Sequence, residues 1–175
     1  YNVLFAPDPS TSNRGNVGGA IGNNSCGSHS VKWGKTIDHT LELDTVLTNG
    51  ETHLFKHTDR SMLENYTAGD SFLSVIYKNI LRIGTTNAQE VEKQFPKIMR
   101  RVSGYNLDEI NPDSDFNMAR FLVGSEGTLL TITEAKMKVV PMPLNKVLAV
   151  IHFHELSQAL EATVITLEHG PDAVD

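Results

Sequence analysis

One cysteine, Cys26, is the only sulfhydryl in 175 residues. A disulfide framework is excluded, and a lone thiol suits a reducing compartment such as the cytoplasm. Long apolar runs are also lacking. None approaches the roughly 20 residues that cross a bilayer, and no secretory leader opens the chain, so a transmembrane protein is not expected. Basic clusters are scarce: 15 Lys and Arg stand against 21 Asp and Glu, and the tightest pair is Arg100-Arg101. A net charge of −6 on that distribution argues against a nucleic-acid partner. Two nucleotide signatures fail as well. Gly18-Gly19-Ala20-Ile21-Gly22 has the wrong spacing for G-x-G-x-x-G, and Gly34-Lys35-Thr36 has His29 where a P-loop needs its first glycine.

Glycine, by contrast, is concentrated. Five of the 13 fall between Gly15 and Gly27, within the stretch from Ser12 to Asp38. Glycine at that density forms neither an ordinary helix nor a strand, because it loses too much backbone entropy and adds no packing. It can instead bring bare backbone N–H groups against a large anionic ligand. A mobile linker is the alternative, but Ile21, Val31 and Trp33 interrupt the run and no repeat is present. A second glycine turn, Gly124-Ser125-Glu126-Gly127, lies far down the chain. Two such turns suit one long ligand, such as a flavin dinucleotide.

The chain in order reads as α+β. Val3-Leu4-Phe5 is a short strand stopped by Pro7 and Pro9. Leu41, Leu43, Val46 and Leu47 lead to Asn49-Gly50, the signature of a type I′ hairpin. Phe72, Leu73, Ile76, Ile80 and Ile83 mark one face of a helix capped by Ser71 and ended by Gly84. A second helix is expected from Asn87, kinked or divided by Pro96. Gly104 to Asp115 reads as a polar loop, followed by the apolar Phe121-Leu122-Val123. A long strand then puts Thr133, Ala135, Met137 and Val139 on one face. After Pro143 a strand over Val147 to Phe153 and a helix over Glu155 to Glu168 begin a new unit that cannot bury both its faces alone.

Five segments carry a resemblance. They are Pro7-Asp8-Pro9-Ser10, Gly18 to Asn24, Lys32 to Asp38, Ser103 to Leu107, and Phe121 to Leu129. In this order they resemble the FAD-binding (PCMH) domain of the vanillyl-alcohol-oxidase type. The branch they look most similar to holds D-lactate dehydrogenase, glycolate oxidase and D-2-hydroxyglutarate dehydrogenase. The resemblance implies a C-terminal part of such a domain over 1–143, its antiparallel sheet flanked by helices, and the start of a substrate-binding cap over 144–175. It implies FAD as cofactor, a 2-hydroxy acid such as D-lactate, glycolate or D-2-hydroxyglutarate as substrate, hydride transfer to flavin, and an electron acceptor of unspecified type. An N-terminal FAD subdomain and the rest of the cap would lie outside these residues, and with them the substrate-handling groups. No catalytic or metal residue is therefore assigned, and the chain alone is expected to be inactive and to bind FAD poorly.

Residue by residue, the resemblance points to Pro7, Asp8, Ser10, Thr11 and Ser12 along the isoalloxazine and ribityl chain. It points to Gly18, Gly19, Gly22, Asn23, Asn24 and Ser25 at flavin and pyrophosphate, and to Asp38 where the chain returns to the flavin. Glu126, Gly127 and Ile132 would meet the adenosine half. Two positions depart from the pattern: Leu130 replaces a usual glycine, and Ser25-Cys26 replaces Ala-Gly. Cys26 is out of place for a covalent flavin link and reads as a small buried thiol. His29 and His39 are candidate bases or plain hydrogen bonders, and His152 with His154 lacks a third metal ligand. The alternatives are a flavin-free binding or structural module on the same fold, or a flavin reductase of another substrate class.

Overall fold

A computed structural model describes residues 1–110 and 116–174. The centre is a three-stranded antiparallel sheet. Its middle strand is β2 (Thr40–Val46), flanked by β3 (Thr52–Phe55) and β6 (Thr131–Met137). Two short antiparallel pairs lie beside it: β1 (Val3–Leu4) with β7 (Val140–Pro141), and β4 (His57–Thr58) with β5 (Phe116–Asn117). The helices are α1 (Val17–Gly22), α2 (Ser30–Trp33), α3 (Thr36–His39), α4 (Arg60–Ala68), α5 (Phe72–Gln94), α6 (Met118–Leu122) and α7 (Leu156–Glu168). The α+β class with antiparallel pairing is thus present.

The β2–β3 hairpin forms at its expected place with a different turn. Gly50 takes a left-handed φ of 86°, whereas Asn49 does not. Type I′ needs both, so the connection is a tight turn closed by Gly50 N–H donating to Leu47 O at 2.9 Å, with Leu47 N–H donating to Glu51 O at 2.8 Å. Register shifts in β2 after Thr40 and after Asp44 also break the expected alternation. Thr45 pairs with Ile132 while Asp44 pairs with Glu134, which leaves Thr133 as the extra residue of a bulge. Ile132 and Met137, of opposite parity, both pack on the core, and the continuous face through Thr133 and Ala135 is not formed. Leu41 likewise points away, 41% exposed.

The core holds Leu43, Phe55, Tyr77, Phe116, Met118, Phe121 and Val123, with Ile21 and Ile37 joining it from the glycine-rich stretch. Helix α5 starts on Ser71 as expected, its Oγ accepting from Ser74 N–H at 3.1 Å. Gly84 does not end it. A Cβ there would sit 2.3 Å from Ile110 Cγ2, so this glycine is a contact point between the helix and the 3₁₀ turn Leu107–Glu109 that precedes Ile110. The helix runs to Gln94, and Asn87 lies inside it, its Nδ2 donating to Ile83 O. Pro96 neither kinks nor divides it. The residue before it, Phe95, is driven to an extended ψ of 127°, which stops the helix. Residues 121–122, expected as a plain apolar segment, end α6. The expected loop over 104–115 lies in part outside the described residues.

Residues 147–153 form no strand. They have no sheet partner among the described residues, and Val147 and Leu148 are almost fully exposed. Helix α7 forms as expected with Leu156, Leu160 and Val164 turned to solvent. No helix among the described residues is long and apolar enough to cross a membrane.

Candidate functional site

The glycine-rich stretch shapes one wall of an open groove of about 510 Å³. The other wall is the proline-bounded turn after β1. Leu4, Phe5 and Val17 give it apolar patches, and Thr11, Ser12, Asn16 and Ser25 give it polar ones. Local chemistry builds both walls. Thr11 O accepts from Arg14 N–H at 2.9 Å and Gly15 N–H at 2.7 Å, which curls the chain into the start of α1. Asn16 then caps α1, its Oδ1 accepting from Gly19 N–H at 2.6 Å.

The turn opposite is clamped. Asp8 holds a left-handed φ of 39°. Gly27 lies so close that a Cβ on it would be 1.9 Å from Asp8 O, and Ser30 Oγ donates to Pro7 O at 3.3 Å. His29 Nδ1–H donates to Asp8 Oδ2 at 2.8 Å.

The far end of α1 is tied to the second glycine turn. Gly124 N–H donates to Ile21 O and Glu126 N–H to Gly22 O, both at 2.9 Å. The two glycine turns therefore meet, through backbone. Three residues of the second turn have left-handed φ: Gly124 at 84°, Glu126 at 52° and Gly127 at 73°.

Of the residues expected from the sequence, Asp8, Thr11, Ser12, Gly19, Asn23 and Ser25 line the groove. Pro7 is buried in the clamp, and Ser10, Gly18 and Gly22 flank the lining residues along the same stretch. Asn24 lies beneath them, 1% exposed, with its Oδ1 accepting from Ile37 N–H at 3.0 Å. The remaining four expected positions, Asp38, Glu126, Gly127 and Ile132, do not line it. Asp38 accepts from Lys35 N–H at 2.8 Å and from Arg120 Nη2 at 3.4 Å, which makes it a cap and an ion-pair partner. Glu109 binds the same Arg120 through both oxygens, at 2.6 and 2.9 Å, and raises its already high pKa. Ile132 is in β6 against Thr45.

Sequence reasoning missed Phe5, Gly15, Asn16 and Val17. Asn16 just ahead of a glycine-rich apolar step is a cap signal that was there to read. His39 is settled as structural: it is 3% exposed, with Nε2 2.8 Å from Trp33 O and Nδ1 3.1 Å from Lys138 O. Cys26, expected to be buried, is only half-buried. Among the described residues no three His, Cys, Asp or Glu side chains gather to hold a metal.

Two features of the glycine-rich stretch are not explained by the chain itself. Gly27, Gly34 and Gly84 are glycine because the chain itself fills the space a Cβ would need. Gly18 and Gly22 have no such reason, since the nearest atoms to an added Cβ are 3.6 and 4.0 Å away. Beside them the buried Asn24 Nδ2 has no hydrogen-bond partner in the protein, and an unmet buried donor is costly.

Comparison with known proteins agrees with that geometry. Residues 1–56 match the FAD binding domain family. D-2-hydroxyglutarate dehydrogenase of Pseudomonas putida is 35% identical over 176 residues, covering 100% of this chain and 18% of the relative. Glycolate oxidase subunit GlcD of Bacillus subtilis is 30% identical over 144 residues, covering 82% of this chain and 20% of the relative. D-lactate dehydrogenase of Anaerostipes hadrus is 26% identical over 162 residues, covering 93% and 23%. The chain thus spans about a fifth of the length of these relatives. Residues 1–56, which carry the groove and both its walls, match the FAD binding domain family, in a chain that resembles a stretch of the D-2-hydroxyglutarate dehydrogenases along its whole length.

Proposed function

We propose that the groove seats FAD and that the chain serves an FAD-linked dehydrogenase of D-2-hydroxy acids. The observation that carries this is the pairing of chain-independent glycines at 18 and 22 with the unmet amide of Asn24, inside the segment that matches the FAD binding domain family. The names of the relatives support the substrate class: D-2-hydroxyglutarate, glycolate or D-lactate. Bound FAD supplies a ring that accepts hydride from the carbon bearing the substrate hydroxyl.

The chain's own residues do the holding. Phe5 and Val17 give the groove apolar surface, and Thr11, Ser12 and Ser25 give it hydroxyls. Glu126, joined to α1 through Gly22 O, and Gly127 and β6 after it reach the adenosine half in this reading, although they lie off the groove itself. Removal of the hydroxyl proton is assigned to no described residue of this chain. Residues 144–175 belong to a separate substrate-side unit, which accounts for the exposure of Val147, Leu148 and Leu160. The electron acceptor is a further partner, and the setting is cytoplasmic.

Titrating the chain with FAD and following amide ¹H–¹⁵N shifts tests the cofactor assignment, because the method reads millimolar affinities. Shifts should concentrate at Gly15, Gly19, Asn23 and Ser25. Ala20→Leu, which extends a side chain into the groove, should weaken binding about tenfold or more at unchanged spectral dispersion. Shifts scattered over the surface, or the same affinity in Ala20→Leu, would reject the site. Dye reduction by the protein from its native source, with the three hydroxy acids compared, tests the substrate.

A further inference from the structure

We propose that His29 is a positioning residue that masks the charge of Asp8 from a phosphate-bearing ligand in the groove; this rests on the reading that the groove seats FAD. Asp8 is the one charged residue among the described residues lining the groove, and it is an acid. A pyrophosphate seated elsewhere in the same groove shares it with a carboxylate and with no lining lysine or arginine among the described residues. Like charges at such range repel strongly enough to matter even near water.

His29 answers that charge. Its Nδ1–H donates to Asp8 Oδ2 at 2.8 Å, and the two side chains are 33% and 34% exposed, at the boundary between groove and solvent. The backbone enforces the pairing. Asp8 is held at φ 39°, Gly27 packs directly on its carbonyl, and Ser30, the residue after His29, ties Pro7 O. The carboxylate and the imidazole are thus fixed by neighbouring anchors on both strands of the clamp. Gly27 O is itself held by Arg100 Nη2 at 3.2 Å, which brings a guanidinium to the same turn without entering the groove. A plain structural tie needs only the hydrogen bond. A charge mask also predicts dependence on the charge of the ligand, and that separates the two.

The test titrates the wild-type chain, His29→Gln, Asp8→Asn and the double variant with FAD and with riboflavin, read by amide shifts at Gly15 and Gly19. Riboflavin has the ring and ribityl chain without phosphate. His29→Gln should weaken FAD by about three- to tenfold while leaving riboflavin within about twofold. Asp8→Asn alone should tighten FAD by about twofold, and the double variant should return to wild-type affinity or better. Equal losses for both ligands, or a double variant as weak as His29→Gln, would overturn the charge mask and leave the FAD reading standing. A wild-type chain showing no FAD shifts at those glycines would overturn both. Should His29→Gln fail to fold, the Asp8→Asn result decides alone: unchanged or weaker FAD binding refutes the proposal.

Discussion

Gly27→Ala should open the clamp between the first turn and α2. The added Cβ would lie 1.9 Å from Asp8 O, 2.7 Å from Asp8 C and 2.9 Å from Pro7 O, all of them backbone atoms. No side-chain rotation relieves such a contact, so the 7–8 turn must move by more than an ångström. Forced overpacking of that kind costs about 1–3 kcal/mol. The displacement also stretches the Ser30–Pro7 and His29–Asp8 hydrogen bonds, worth about 1 kcal/mol each. With each stretched bond losing about half its worth, the sum is about 2–4 kcal/mol, and for a chain of this size each kcal/mol lowers Tm by about 2–4 °C. A Tm fall of about 5–15 °C is expected by thermal circular dichroism, together with weakened FAD shifts, because Asp8 lines the groove. A variant that melts within about 2 °C of wild type and keeps its FAD titration would refute the clamp.

Gly84→Ala separates helix propensity from packing. An exposed helix interior would gain about 1 kcal/mol from the change, but contact with Ile110 at 2.3 Å should reverse the sign to a net loss of about 1–2 kcal/mol in urea unfolding. A stabilised variant would mean that α5 does not rest on Ile110. Acid should find a second weak point at His53, whose ring is edge-on to Phe55 and Tyr66 at 4.6 and 5.5 Å and whose Nε2 is buried without a partner. Burial pushes its pKa below the ordinary histidine value of 6.5, and Asp44 only partly opposes this. The unfolded chain therefore takes up a proton more readily, and the contribution of His53, complete above pH 6.5, is lost as pH falls below it. Melting of the wild type should drop more steeply than that of His53→Phe between about pH 7 and pH 5, and parallel curves would refute the assignment.

What the sequence showed plainly was whatever depends on near neighbours. Ser71 at a helix start, the Gly50 turn, and the glycine density between Gly15 and Gly27 are all local. Gly84 misled because a helix-stopping glycine and a packing glycine look alike until Ile110 is in place. The bulge at Thr133 was equally hidden, since register shifts arise from pairing with β2. The site shows the same division. Asp8, Gly19 and Asn23 could be named from motifs, but the His29–Asp8 pair joins positions that share no periodic pattern. Asp38 and Ile132, named with them, are held by Arg120 and Thr45, and no adjacent residue announces either contact.

The bonds from Gly124 to Ile21 and from Glu126 to Gly22 have a consequence for the order of assembly. Gly22 O finds its donor, and Ile21 O a donor beyond the local Asn24 N–H, about a hundred residues later, a separation that places these bonds among the slow, non-local contacts of a fold. At ribosomal speeds of about 5–20 residues per second, α1 waits some 5–20 seconds before those donors exist. Throughout that interval Ile21, fully buried in the finished protein, has no lid over it. A chain arrested before Gly124 should therefore present the glycine-rich segment to proteases, and release past Thr128 should close it in a single step.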